Sequence, residues 1–235
     1  MVKHGTVYGV GVGPGDPELM TVKAWRLIST APVIAYLAAN GKDSTARDIA
    51  LPFIPDDAEH LVIDMPMRTE REPGEKAYDF GAKAIAVHLK AGRDVVVLCE
   101  GDPFFYGSFM YLFARLAKAH TTVVVPGVTS ITASAAAIGR PLSARNEVVK
   151  VLPATLAEDR LREELLTAES AAIIKVGRHL PRVRNILGLL DLTTRAHVII
   201  KATHEDQQTI PLAEFSGDTL PYFATILVYT GAEAW

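Results

Sequence analysis

Short runs of β-branched and small apolar residues recur along this chain, each closed by glycine, proline or charge and most followed by a helical pattern. That alternation constrains the fold more than any other feature. Runs of this length read as buried strands, and strands separated by helices pair through crossovers, which predicts a mostly parallel sheet covered on both faces. In the first half the runs fall at residues 6–12, 33–37, 61–65, 95–99 and 121–125. Helices are expected from Thr21, with Val22, Trp25, Leu27 and Ile28 apolar and a stop at Ala31-Pro32, and from Ser44 to about Leu51. Two more are expected over residues 72–90, with Ala77, Phe80, Ala84, Val87 and His88 in register, and over residues 108–118. In the second half the expected strands are 148–152, 171–176, 196–202 and 221–229, and the helices 131–138, 157–168 and 181–190. Pro126-Gly127 is the best candidate for a boundary between two α/β domains, although the pattern alone also allows one continuous sheet.

Composition narrows the class. A chain of 235 residues with 49% hydrophobic content can bury one large or two small cores. A net charge of -3 carries no polyanion signal, so neither nucleic acid nor an anionic membrane is an expected partner. Cys99 is the single cysteine, which excludes an intramolecular disulfide, and its place at the end of an apolar run reads as a small buried side chain. His4, His60, His120, His179 and His197 show no metal-ligand spacing, and no metal is expected. No apolar run approaches 18 residues and the first 15 residues lack signal-peptide architecture, so a cytoplasmic location is expected.

Three loops at strand ends stand out. The first is Gly9-Val10-Gly11-Val12-Gly13-Pro14-Gly15-Asp16-Pro17. It is not a dinucleotide fingerprint: counted from Gly9 the sixth position is Pro14, and from Gly11 it is Asp16. Proline removes a backbone N–H and Asp16 repels an anion, so pyrophosphate is a poor fit. No Gly-Lys-Ser/Thr follows, which excludes a P-loop. The second is Glu100-Gly101-Asp102-Pro103-Phe104-Phe105-Tyr106-Gly107, after the strand at 95–99. In an open α/β sheet ligands sit at the carboxyl ends of strands. Asp102, pinned between Gly and Pro, is either a functional carboxylate or a turn-capping one. The third is Pro126-Gly127-Val128-Thr129-Ser130, where Thr129 and Ser130 read as a helix cap, a polar ligand contact, or both.

Together Gly11 to Thr21, Glu100-Gly101-Asp102-Pro103 with Tyr106-Gly107, and Val125 to Ser130 resemble the tetrapyrrole methylases in order and spacing across nearly the whole chain. These are S-adenosylmethionine-dependent methyltransferases of the cobalamin and sirohaem pathways. The wording of residues 102–112 resembles the branch that methylates C20 of precorrin-2. The resemblance implies two α/β domains, 1–126 and 127–235, with the cofactor cleft between them. It implies S-adenosylmethionine contacts at Pro14, Glu100, Gly101, Asp102, Phe105, Thr129, Ser130, Val176 and Ala202. Val176 stands where methionine is frequent and Ala202 where glycine is, so their contacts are expected through the backbone. Asp102 and Tyr106 are the catalytic candidates, with His204 or water also open as the proton acceptor. Gly13, Asp16, Arg68, Arg71, Arg178 and His204 are the substrate candidates, because a ring rimmed with carboxylates calls for Arg and His. Each of those cations, taken singly, also reads as solvated surface charge. A homodimer, a tetrapyrrole substrate and metal-independent catalysis complete what the resemblance implies. It leaves open a cobalt-containing ring, another ring carbon and the RNA-methylating relatives. Two readings lie outside the family, a nucleotide-dependent oxidoreductase and a non-catalytic module.

Overall fold

A computed structural model describes residues 4–39, 44–66 and 71–231, without the side chains of Arg71 and Pro73. The chain divides into two compact units, 1–129 and 130–235.

The first unit is a parallel sheet of β1 (Val7–Gly11), β2 (Val33–Ala39), β3 (Glu59–Met65), β4 (Val95–Cys99) and β5 (Thr122–Val125), in the order β3-β2-β4-β1-β5. The period of two along each strand sends Val95, Val97 and Cys99 to one face and Val96 and Leu98 to the other. Helices α1 (Val22–Ile28) and α2 (Thr45–Ala50) cover the face of Val96 and Leu98. Helices α3 (Arg71–Lys90) and α4 (Phe109–Leu116) cover the other. Thr21 and Ser44 cap α1 and α2, accepting from the Ala24 and Arg47 amides. The Phe109 ring lies so close to Gly9 that a Cβ there would overlap it, which seats the start of α4 over the middle of β1.

Two helix faces differ from the periodicity. On α1 the core residues are Ala24 and Ile28, while Val22 and Trp25 are exposed. On α3 the buried residues are Tyr78, Ala82, Ile85 and Leu89, while Phe80 and Val87 are 64% and 66% exposed. The cause is close approach. A Cβ on Gly81 would lie 2.7 Å from Ile63 Cδ1, so α3 turns its Gly81 side toward β3 and the stripe of Phe80 and Val87 outward.

The second unit holds β6 (Val149–Pro153), β7 (Ser170–Ile174), β8 (Ala196–Ile200), β9 (Gln208–Pro211) and β10 (Ala224–Tyr229), ordered β6-β7-β10-β8-β9. Its sheet is mixed: β6 and β7 are parallel, whereas β10 is antiparallel to β7 and β8, and β9 is antiparallel to β8. The expectation of a mostly parallel sheet therefore holds for the first unit only. Helix α5 (Ser130–Ala137) packs on one face, and α6 (Glu158–Leu166) and α7 (Leu180–Leu189) on the other. The four-residue edge strand β9 was not expected; it is polar at its start, ends in proline and has no apolar alternation.

Candidate functional site

In the first unit β4, β1 and β5 are neighbours running in one direction, so their carboxyl ends and the three singled-out loops meet at one edge. Beyond β1 the Val12 amide still donates to the Cys99 carbonyl at 2.9 Å. Gly13 and Gly101 then form an isolated antiparallel bridge, with Gly101 N–H donating to the Gly13 carbonyl at 2.8 Å and the reverse bond at 3.4 Å. Both glycines have positive φ, +81° and +62°. A Cβ on Gly11 would lie 2.5 Å from the Gly101 carbonyl oxygen and 2.8 Å from Gly127 Cα. A Cβ on Gly127 would come closer still to that carbonyl. Only three backbones stripped of side chains fit at this approach.

Asp102 ties the loops together. Its Oδ1 accepts from the Phe104 amide at 2.8 Å and the Phe105 amide at 3.1 Å, closing a turn. Its Oδ2 accepts from the Gly127 amide at 3.0 Å, reaching the loop after β5. The carboxylate thus accepts from three main-chain donors, which fixes its orientation, and taking up a proton would weaken the bonds it makes. Tyr106, the other catalytic candidate, is a non-glycine residue at φ +55° with a partly exposed ring set edge-on to Phe105 at 5.3 Å. A neighbouring Cβ at Gly107 would lie 2.5 Å from the Pro103 carbonyl oxygen, so the turn closes tightly behind Tyr106.

Glu100 points elsewhere, its Oε1 accepting from the Ala46 amide in the first turn of α2 at 3.2 Å. Burial pushes its carboxyl up from the usual range, against the pull of its own amide and that of Ala46. The adjoining Cys99 thiol is pushed well up by burial, and then by the charges of Glu100 and Asp102, which makes it an inert packing group. Asp16 caps the 3-10 turn Pro17–Leu19 by accepting from the Glu18 amide at 2.8 Å. Gly13 has its main-chain groups engaged in the bridge to Gly101. Pro14 lies between these two in the same loop, Thr129 ends the first unit, and Ser130 opens α5.

In the second unit β7 and β8 run the same way on either side of β10, so their carboxyl ends share an edge. Val176 follows β7 and Ala202 follows β8, with side chains 1% and 6% exposed in the cores of opposite sheet faces. Contacts from either therefore run through the main chain. Ala202 sits between Lys201 at φ +50° and Thr203 at φ +70°, in a loop held by the Lys201–Asp206 ion pair and by the Thr203 amide on Gln207 Oε1 at 2.7 Å. His204 Nε2 is buried with no hydrogen-bond partner among the described residues. Arg178 is exposed. Arg71 opens α3, with its side chain not described, and Arg68 lies outside the described residues.

The structure thus gathers Gly13, Pro14, Asp16, Glu100, Gly101, Asp102, Phe105 and Tyr106 at one edge of the first unit. It gathers Val176, Arg178, Ala202 and His204 at one edge of the second. Sequence reasoning missed Gly127 as the far anchor of Asp102 and Ala46 as the partner of Glu100. Both are main-chain donors distant in sequence, and no residue type announces them. Among the described residues no group of three or more His, Cys, Asp or Glu can hold a metal ion. Among them no helix is long and apolar enough to cross a membrane.

A family model described as Tetrapyrrole (Corrin/Porphyrin) Methylases matches residues 6–215. The cobalamin biosynthesis protein CobIJ of Mycobacterium tuberculosis (strain H37Rv) is 41% identical over 239 residues, covering 98% of this chain. The chain spans 47% of that protein's length, about half. The precorrin-2 C(20)-methyltransferase of Sinorhizobium sp is 40% identical over 232 residues, covering 95% of each chain. Among solved structures, the uroporphyrin-III C-methyltransferase of Thermus thermophilus complexed with S-adenosylhomocysteine shares the fold. Its TM-score is 0.71 at 24% identity, over 96% of this chain and 92% of that one.

Proposed function

The chain belongs to the tetrapyrrole (corrin/porphyrin) methylases, and from that premise we propose that it transfers a methyl group from S-adenosylmethionine to C20 of precorrin-2. The observation that carries the reading is the locked trio of loops after β1, β4 and β5, built from the residues of the motifs in which the resemblance lies. The full-length likeness to a precorrin-2 C(20)-methyltransferase supports the ring and the carbon, and the S-adenosylhomocysteine in a fold relative supports the cofactor.

The residues fit that cofactor. The glycines at Gly11, Gly101 and Gly127 leave a side-chain-free backbone surface, Val176 and Ala202 offer main-chain groups over apolar packing, and Thr129 and Ser130 offer hydroxyls. Pro14, Glu100 and Phe105 complete the set. When bound, S-adenosylmethionine supplies an already activated methyl on a sulfonium, so the hard chemistry is the cofactor's. The protein's share is positioning, an effect worth up to about 7–11 kcal/mol. Asp102 serves that share by fixing the loop geometry rather than by taking the proton from C20. Tyr106, on the same loop, and His204, whose Nε2 has no hydrogen-bond partner among the described residues, are the remaining side-chain candidates for that proton. In this reading Gly13 and Asp16 shape the first loop against the ring, and Arg68, Arg71, Arg178 and His204 are the residues assigned to bind its carboxylates. The enzyme works as a cytoplasmic homodimer in this reading.

The test is single-turnover transfer from labelled S-adenosylmethionine to enzymatically prepared precorrin-2 under anaerobic conditions, with the new methyl located by NMR. A methyl at C20 of the metal-free ring is the expected product. Transfer only to the cobalt-containing ring moves the substrate, and label at another carbon overturns the C20 assignment.

A further inference from the structure

Two arginines and a histidine crowd the start of α7. Arg178 and His179 lie in the 3-10 turn Gly177–His179, and Arg182 is in the helix's first turn. A helix start carries partial positive charge and favours acidic residues. Here the first turn holds no acidic residue and no side chain caps it. Two arginines of this unit meet carboxylates, Arg160 on Glu164 at 2.5 Å and Arg162 on Asp159 at 3.6 Å, while Arg184 and Arg195 donate to main-chain carbonyls. No carboxylate pairs with Arg178, His179 or Arg182 among the described residues. Arg182 is nevertheless held in place: its Nη2 donates to the Ala154 carbonyl just beyond β6, which ties the guanidinium to the end of that strand. Its Nε is sealed from solvent without an acceptor among the described residues. The His179 imidazole is pushed down by burial, and then by Arg182 and Arg178, a mutual repulsion with no internal counter-charge.

Such a violation of local electrostatic rules is expected at a functional site, where an absent group completes the balance. We infer that Arg178, His179 and Arg182 form a recognition site for a peripheral carboxylate of the tetrapyrrole. The inference rests on the substrate class proposed above and extends it from Arg178 alone to a fixed three-residue site. Arg182 is the anchored member, its remaining fork of N–H donors suited to a carboxylate. Arg178 is the free arm. His179 contributes a donor that strengthens when an anion arrives and draws a proton onto the ring.

The experiment measures binding of uroporphyrin III, a stable octacarboxylate macrocycle, to the full chain by absorbance titration, and kinetics with precorrin-2. Arg182→Gln and Arg178→Gln are each expected to weaken uroporphyrin III binding about tenfold or more. Each flattens the dependence of log K on log salt and raises KM for precorrin-2 more than it lowers kcat. S-adenosylhomocysteine affinity stays as in the wild type. Arg178→Gln breaks no hydrogen bond among the described residues, so it keeps the test valid if Arg182→Gln fails to fold. Wild-type porphyrin affinity and wild-type KM in the variants overturn the inference while leaving methyl transfer by the parent enzyme intact. A parent enzyme that methylates no C20, yet binds uroporphyrin III through these arginines, supports the site and overturns the C20 reading instead.

Discussion

Asp102 shows how much a single residue's role depends on its acceptor bonds. Truncation to Ala leaves the amides of Phe104, Phe105 and Gly127 without their partner. Unsatisfied donors cost about 1–3 kcal/mol each where buried, and this loop is partly open, so Asp102→Ala is expected to lower stability by about 1–3 kcal/mol in all. Affinity for S-adenosylhomocysteine should fall with it by about tenfold or more, read by calorimetry. A carboxylate used only as a base would lose turnover at unchanged affinity and stability, and that outcome sinks the positioning role. Glu100 behaves differently because burial raises its folded pKa above the unfolded one. Its ionised form therefore costs folding free energy at high pH, and the cost is relieved as pH falls through the folded pKa toward the usual carboxylate range. Glu100→Gln keeps an acceptor for the Ala46 amide and should raise Tm at about pH 8. The gain should close as the pH is lowered; a pH-independent gain means the carboxylate is solvated. The sequence marked Asp102 and Glu100 as loop residues of interest but not what they hold, because their partners are amides 25 and 54 residues away.

At the scale of elements, strand positions were legible and helix faces were not. The buried strands β1, β2 and β4 are almost wholly apolar runs, most plainly Val95–Cys99, and such a run has few alternatives, whereas β3 carries Glu59, His60 and Asp64 and only its Leu61–Ile63 stretch is continuously apolar. Helix α3 carries two apolar stripes on opposite sides, Tyr78-Ala82-Ile85-Leu89 and Phe80-Ala84-Val87, and periodicity cannot choose between them. Gly81 chooses, by fitting against Ile63. The choice has a measurable consequence: Ile85→Ala is expected to cost about 2–5 kcal/mol in urea unfolding, and Phe80→Ser no more than about 0.5 kcal/mol. The reverse order would show that the outward stripe is the packed one. Strand direction in the second unit was likewise hidden. Nothing in the residues of β10 tells that it enters antiparallel between two strands that run the other way, because hydrogen-bonding direction belongs to the connection and not to the strand.

At the scale of the whole molecule, each unit has apolar cores on both faces of its own sheet, so each meets the packing requirements of an independently cooperative body. The proposed cofactor contacts come from both, with Gly101 and Asp102 in the first and Ser130, Val176 and Ala202 in the second. A ligand that binds only the folded state stabilises whatever must be folded to bind it, by about 2.7 kcal/mol at a hundredfold excess over Kd. Saturating S-adenosylhomocysteine should therefore shift the unfolding of both units together. Calorimetric melting would show this directly, and in a Trp235→Phe variant the fluorescence of Trp25, then the single tryptophan, would report on the first unit. If one unit's transition moves and the other's stays, the cofactor is held by that unit alone, and the residues assigned to the other are not its contacts. If both move, mutations that weaken either edge should reduce both shifts equally. Asp102→Ala in one unit and Ala202→Trp in the other would then reduce the ligand-induced shift of both transitions, whatever each does to the melt without ligand.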